Sequence, residues 1–336
     1  MVNYGVSDQN KVILYYESGT YATPNTGTKY WPGLVTAHDP GETINVVPLR
    51  YVAGTGRNVN KFVQTSEEYD GSLSYHPQDW RFLKFALGSC IDGGSPTYEH
   101  RIGETNSSDD CFEVPCQSLP SFAIEDTHSI VTGSNLQRTM KGCVVDNMTI
   151  NAPEGDMMSV DISYTAQQLQ FHSGAANAVT ERVTRPYLTS DSALLIGSPD
   201  IGPAYPNVKT WSLEIAENLS KPNYADGNRY RGKPIPTSRD YTLNVTLNEH
   251  SEQNKILYDK YFIGGSEFNT ELRILINSAA LGSVFLYMSG CELMDMNDPT
   301  NPEGENEVTL VIRPTKINAI VYDNIQYYNN WSGVGF

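Results

Sequence analysis

Met140-Lys141-Gly142-Cys143, then Pro153-Glu154-Gly155-Asp156, then Val160-Asp161-Ile162-Ser163-Tyr164: these three stretches occur twice in the chain, in the same order. The second time they read Met288-Ser289-Gly290-Cys291, Pro302-Glu303-Gly304-Glu305 and Val308-Thr309-Leu310-Val311-Ile312. Upstream, Phe85-Ala86-Leu87-Gly88-Ser89 is echoed by Phe262-Ile263-Gly264-Gly265-Ser266. Gly142 and Gly290 lie 148 residues apart, Phe85 and Phe262 177 apart, and an insertion of about 29 residues in the first half, Cys90 to Pro120, absorbs the difference. Repeats of this kind point to stacked or tandem units. We therefore expect a tandem duplication: a first unit over 1–172, a second over 207–336, and a linker with the second unit's opening strand in 173–206. Gly142, Cys143, Gly290 and Cys291 become equivalent core positions, the cysteines acting as small buried hydrophobes.

The repeated unit is β-rich. Trp211-Ser212-Leu213-Glu214-Ile215 and Tyr241-Thr242-Leu243-Asn244-Val245-Thr246-Leu247 alternate with period 2, as do the runs from Val160 and Val308. Period 2 places one face of a strand in a core. Turn clusters such as Asp39-Pro40-Gly41, Asp92-Gly93-Gly94 and Asp226-Gly227-Asn228 separate the runs. A one-faced antiparallel sheet must be covered, so the expected class is mainly β, tandem sandwich or barrel domains, each with one short flanking helix. Pro77 to Leu87 reads as the first helix: Pro77 at its start, Asp79 complementing the positive end, Trp80, Leu83 and Leu87 on one face, Gly88 after it. Ser251 to Ile263 reads as the second, with Gly264-Gly265 ending it.

The chain has 336 residues, 23 Lys+Arg and 39 Asp+Glu, a net charge of −16. That excludes a protein that grips nucleic acid through phosphate neutralisation. Charged residues make up 18%, below the roughly 25% of typical soluble domains, and Tyr (21) outnumbers Phe (10). Apolar runs such as Ala193-Leu194-Leu195-Ile196 are far shorter than the ~18 residues of a membrane helix, so no membrane span is expected. Met1-Val2-Asn3-Tyr4-Gly5 lacks a basic-then-apolar pattern, so no secretion signal is expected.

Catalytic and cofactor motifs are lacking. Gly54-Thr55-Gly56-Arg57 is a strand-to-loop turn rather than a nucleotide loop. The six histidines, at 38, 76, 100, 128, 172 and 250, share no i, i+2 or i, i+4 spacing, and capping or polar packing is expected of His76 and His250. Asp109-Asp110, Glu67-Glu68 and Glu303/Glu305 read as solvated turn carboxylates. Met294 to Asp298 with Glu303 lacks the acid spacing of a calcium loop. Cys90, Cys111 and Cys116, with His100 between, have irregular spacing and no C-x2-C pair. A Cys111–Cys116 disulfide and free thiols both remain open readings. We expect no catalytic residues, no cofactor and no metal.

The strand and helix Gly71-Ser72-Leu73-Ser74-Tyr75-His76-Pro77-Gln78-Asp79-Trp80-Arg81-Phe82-Leu83-Lys84-Phe85-Ala86-Leu87-Gly88-Ser89 resembles a segment of the major tail tube proteins of tailed viruses. The strands around Lys141-Gly142-Cys143 and Met158 to Tyr164 are similar to those that follow it in that family. The second half repeats the plan without the Trp80-Arg81-Phe82 core. The resemblance implies a structural virion protein, not an enzyme, assembled in the host cytoplasm into rings that stack into a hollow tube. Viral DNA would pass through without sequence-specific binding, and other tail proteins would cap the tube ends. Rings of the family hold six tube domains, so a duplicated chain needs three copies.

The resemblance also assigns expectations to particular residues. Loops at Gly54 to Glu68 and Asn218 to Ser238 would contact the next ring through Arg57, Asn58, Lys61, Tyr224, Arg229, Arg231 and Lys233. Tyr327, Tyr328, Trp331 and Phe336 would dock on a neighbouring subunit, with packing on their own domain as the alternative. The insertion would decorate the tube exterior. The rival readings are a carbohydrate-binding or adhesin-type tandem sandwich and the inner tube of a phage-like injection device. A glycosidase on a β scaffold is weaker, since it needs paired carboxylates on adjacent strands.

Overall fold

In a computed structural model the alternating runs become antiparallel strands. The structure describes residues 11–17, 20–24, 29–50, 59, 61–94, 98–103, 119–128, 135–174, 182–196, 208–224, 228–248, 270–297, 307–326 and 328. Among them the strands are β1 (Lys11–Tyr16), β2 (Lys29–Tyr30), β3 (Gly33–Leu49), β4 (Lys61–Pro77), β5 (Ser89–Asp92), β6 (Tyr98–Gly103), β7 (Phe122–His128), β8 (Asn135–Ala152), β9 (Ser159–Ala166) and β10 (Gln168–Gly174). There follow β11 (Ser192–Ile196), β12 (Val208–Ala216), β13 (Leu219–Ser220), β14 (Ile235–Pro236), β15 (Asp240–Asn248), β16 (Thr270–Ser278), β17 (Gly282–Asn297), β18 (Glu307–Arg313) and β19 (Lys316–Asp323). One α-helix, α1 (Leu83–Leu87), stands among the described residues. The protein is mainly β.

Two long strands each serve two sheets. Up to Cys143, β8 pairs with β7 and β10, and beyond it with β9 and β12. Up to Cys291, β17 pairs with β16 and β19, and beyond it with β18. The corners are glycines in the left-handed region, Gly142 at φ +65° and Gly290 at φ +57°. A Cβ would stand 2.8 Å from the Tyr21 ring at Gly142 and 2.2 Å from Thr315 Oγ1 at Gly290. Only glycine takes that backbone freely. Glu17 clamps the first corner, its Oε1 accepting from the Gly142 N–H at 2.8 Å and its Oε2 from Ser121 Oγ at 2.6 Å, while burial raises its pKa. Cys143 and Cys291 beside the corners are fully buried thiols, and burial pushes Cys291 up to about 12.

The pairings of the two halves keep one spacing. Gln167 N–H donates to the Lys141 carbonyl and Thr315 N–H to the Ser289 carbonyl, 148 residues on in each case. The register shifts between Phe122 and Ile124 and again between Thr270 and Leu272, between Val145 and Asn147 and again between Leu293 and Asp295. Each is a β-bulge at the same 148-residue spacing. β1 pairs with β7 as β11, inside the 173–206 stretch, pairs with β16. β3 pairs with β4 as β12 pairs with β15, each with a shift just after Val35 or Val208.

The outcome is one eight-stranded antiparallel sheet running through both halves, in the order β3-β4-β9-β8-β12-β15-β18-β17. Its apolar face is covered by β2-β1-β7-β8-β10 in the first half and β5-β6-β19-β17-β16-β11 in the second. Leu73, Ile150, Ile162, Leu213, Val245 and Leu310 of the long sheet meet Ile124, Met140, Ile274, Leu286 and Val321 in one buried cluster.

Several expectations are corrected. The helix is five residues long, not Pro77 to Leu87, because β4 runs through Pro77 and Asp79 then turns the chain. Its carboxylate accepts from Arg81 N–H (3.1 Å), Arg81 Nη2 (2.8 Å) and Tyr30 Oη (2.7 Å), bonds that compete with helix start. Burial opposes the charge on Asp79, but Arg81 and Arg182 hold its pKa below the usual carboxylate value. The helix has no exposed face; all five of its residues are buried. Glu67 and Glu68 lie within β4, not in a turn. The described part of the insertion is structural: β6 pairs with β19 of the other half, Ile102 opposite Ala319. Its His100 is fully buried, Nδ1 to Asp92 at 2.8 Å and Nε2 facing Asp323 at 3.4 Å. Burial disfavours the imidazolium, yet Asp323 and Asp92 outweigh it and raise the pKa to about 9. Tyr328, expected at a subunit contact, is 0% exposed within its own chain; it stacks on His100 at 3.8 Å and donates to Asp323 at 2.5 Å. The Ser251 to Ile263 helix, Asp109-Asp110, Glu303/Glu305, and Cys111, Cys116, Tyr327, Trp331 and Phe336 fall outside the described residues.

Gly142→Ala and Gly290→Ala are each expected to lower stability by about 1–2 kcal/mol from backbone conformation alone, more where the neighbouring side chain cannot move. Chemical denaturation would measure it, and an unchanged midpoint in both variants would show that the corners do not depend on glycine.

Candidate assembly surfaces

The long sheet has one apolar and one polar face, and the polar face is unusual in kind. Registered rows run Ser74–Asp161–Thr149–Glu214–Thr242 and Asn151–Ser212–Asn244–Val311. Ser72, Ser163, Asn147, Thr246 and Thr309 stand on the same face. None of these positions holds Lys or Arg; the next position on this face of β18 is Arg313, opposite Glu292. Asp161 and Glu214 are held by donors without charge, whereas Asp70 and Glu307 on the same face meet Lys221 at 3.3 Å and Lys209 at 2.6 Å. Ser74 Oγ (2.6 Å) and Asn151 Nδ2 (2.8 Å) donate to Asp161, and Asn147 Nδ2 (2.6 Å) to Glu214. Such bonds orient an anion without neutralising it.

The sheet ends in two open edges among the described residues. β3 pairs on one side only, with β4, and the end of β17 beyond Cys291 pairs on one side only, with β18. Such rows of N–H and C=O groups are templates for another strand. Pro40 and Pro48 within β3 suit an edge.

Beyond the last β4–β9 pair, Tyr69 with Ala166, β3 and β4 continue among the described residues as a two-stranded arm to Leu49 opposite Lys61, touched by a single parallel bridge from Glu67 to Tyr230. At ~3.3 Å per residue, eight residues reach about 26 Å. Ile44, Val46, Val47, Leu49 and Phe62 are exposed on it, Phe62 at 66%. Two strands alone are marginal in water, and a strut braces this ribbon. Glu67 N–H donates to the Arg229 carbonyl at 2.9 Å, Arg229 Nη1 to Gln64 Oε1 at 2.9 Å, and Arg231 pairs with Glu68 at 2.6 Å.

The two loops expected to contact a neighbouring ring thus meet each other within one chain. Lys61 lies in β4 at the far described end of the arm, and Arg57 and Asn58 fall outside the described residues. Arg229 and Arg231 act as the strut. Tyr224, half exposed, lies against Gly232, and Lys233 sits 5.8 Å from the Tyr21 ring. Gly142, Cys143, Gly290 and Cys291 form the corners. Cys90 does approach His100 with Asp92, but both His100 nitrogens already face oxygens and the ring is held as a cation. The sequence reading missed Asp161 and Glu214; their signal was that the polar positions of these strands are Ser, Thr and Asn rather than Lys.

A family model described as phage tail tube protein matches residues 9–314. No curated protein matches the chain. No helix among the described residues is long and apolar enough to cross a membrane.

Arg231→Ala with Arg229→Ala is expected to loosen the arm while the core stays folded. Tryptic cleavage at Lys61 should accelerate several-fold with little change in thermal midpoint. An unchanged cleavage rate would show that the arm needs no strut.

Proposed function

Because the chain belongs to the phage tail tube protein family, a structural family of the virion tail, we propose that it builds the tube as stacked rings of three chains. The observation that carries the reading is the eight-stranded sheet with two open edges, an apolar face already covered and a polar, cation-poor face left bare. Each half supplies four strands, β3-β4-β9-β8 and β12-β15-β18-β17, so three chains present six similar units. This supports reading the halves as copies of one ancestral unit, 1–172 and 207–336, joined through 173–206. Three sheets of eight strands joined edge to edge make 24. At ~4.8 Å spacing and ~40° tilt they close a backbone barrel roughly 48 Å across. Closure removes the open edges and halts lateral growth.

In this ring the polar face lines the bore. DNA moving past it meets hydroxyls, amides and the carboxylates Asp161 and Glu214 along the middle strands, where no registered position holds a cation to release counterions and hold a phosphate. The arm points out of the ring, with Leu49, Phe62 and Lys61 available to the ring above or below, and Arg57 and Asn58 remain ring-contact candidates. Tyr327, Trp331 and Phe336 remain subunit-docking candidates. Assembly in the host cytoplasm and capping by other tail proteins complete the proposal.

Cryo-electron microscopy of assembled tubes is expected to show three chains per ring; six would overturn the stoichiometry. Deleting Tyr224 to Pro234, which removes the strut, is expected to leave a folded, soluble chain that no longer polymerises, and normal tubes from it would refute the arm's role. Replacing Asp161 and Glu214 with Lys should leave tubes intact and slow DNA ejection from particles. Unchanged ejection would place these residues away from the bore.

A further inference from the structure

The junction between the two halves of one chain is a template for the junction between chains. In the chain, the end of β8 pairs with β12: Asn147 opposite Ala216, Met148 opposite Ile215, Thr149 opposite Glu214. β17 has the corner, the bulge and the pairing of β8 at a spacing of 148 residues, so Asn147, Met148 and Thr149 correspond to Asp295, Met296 and Asn297. β3 corresponds to β12 through their partners. Tyr75 opposes Val160 and Leu247 opposes Val308, which aligns β4 with β15. Glu68 opposes Thr43 and Asp240 opposes Ala216 along those strands, so Thr43, Glu42 and Gly41 correspond to Ala216, Ile215 and Glu214. The two strands that stand paired inside the chain have, as their counterparts, the two open edges of the sheet.

We infer that the end of β17 in one chain pairs antiparallel with β3 of the next, with Asp295 opposite Thr43, Met296 opposite Glu42 and Asn297 opposite Gly41. This rests on the ring reading above and adds the register to it. A second observation, the exposure of apolar side chains, points the same way. In the internal junction the bulge residue Asp146 accepts from Glu217 N–H at 2.8 Å, and its side chain faces Leu219 N–H at 3.4 Å. Its counterpart at the open edge is Met294, and the counterparts of Glu217 and Leu219 are Ile44 and Val46. All three are apolar, and each is 47% exposed in the single chain. Side chains of that kind do not suit a solvent-facing bulge, and the inferred register brings them together. Lateral contacts then use the base of the arm at Ile44 and Val46, while its outer part at Leu49 and Phe62 stays clear of the edge.

Directly opposed residues on antiparallel strands have Cα atoms about 4.5–5.5 Å apart, within disulfide range. A Thr43→Cys/Asp295→Cys variant, assembled and then oxidised, is expected to run on non-reducing gels as covalent dimers and trimers. Neither single variant should do so. Glu42→Cys/Asp295→Cys is the off-register control, since a one-residue slip turns the side chain to the opposite face. Ladders from the control but not from the first pair would overturn the register. So would tubes of the Thr43→Cys/Asp295→Cys variant that give no ladder, leaving the ring reading intact. Absence of rings or tubes from the unmodified chain would instead overturn the ring reading and this inference with it. As a measurement without cysteine chemistry, Met294→Lys should keep the monomer's thermal midpoint and lose ring formation. Normal rings from it would count against the contact.

Discussion

The pairing on which the rest of the structure depends is that of β8 with β12, Asn147 to Ala152 against Ala216 to Trp211. Without it the sheet would break into two four-stranded pieces. With it the two four-stranded faces become one sheet, and every later property belongs to that sheet: a continuous apolar side, a continuous polar side and, among the described residues, one open edge at each end. Backbone hydrogen bonds supply the continuity, so it does not depend on the identity of the side chains that cross the seam.

The seam can form because two strands turn corners. A strand that stays in one sheet cannot offer its first half to β7 and β10 and its second half to β9 and β12. Gly142 makes the change of direction with a backbone that other residues avoid, and Glu17, itself buried, holds the corner through the Gly142 N–H. Gly290 makes the same turn with Thr315 packed where a Cβ would go. The buried cysteines beside the corners fill space that a larger side chain would need. The second tie between the halves is chemically different: β6 with β19, sealed by His100 as a cation between Asp92 and Asp323 under the Tyr328 ring.

The covered and bare faces of the sheet divide the work. The covered face sets stability through close packing. The bare face carries polar groups of a restrained kind along its middle strands, because Ser, Thr and Asn there leave Asp161 and Glu214 oriented but not neutralised. In the proposed tube such a wall offers DNA little to adhere to.

Much was legible in sequence because it is local. Period-2 alternation has one physical cause, a strand with one buried face, so the mainly β class could be read from Trp211 to Ile215 or Val308 to Ile312 alone. Glycine after Met-x, then cysteine, at two places 148 residues apart marked equivalent core positions, and only the structure shows that these glycines turn corners in the left-handed region. What sequence could not decide depends on partners far along the chain. The helix from Pro77 shortened to α1 because Asp79 met Arg81 and Tyr30. Tyr328 went inside because His100 was there to stack on. Arg229 and Arg231 became a strut because β4 passes beside them. The open edges exist only as the remainder after all other strands have paired, and a remainder is a property of the whole topology, which no window of sequence contains.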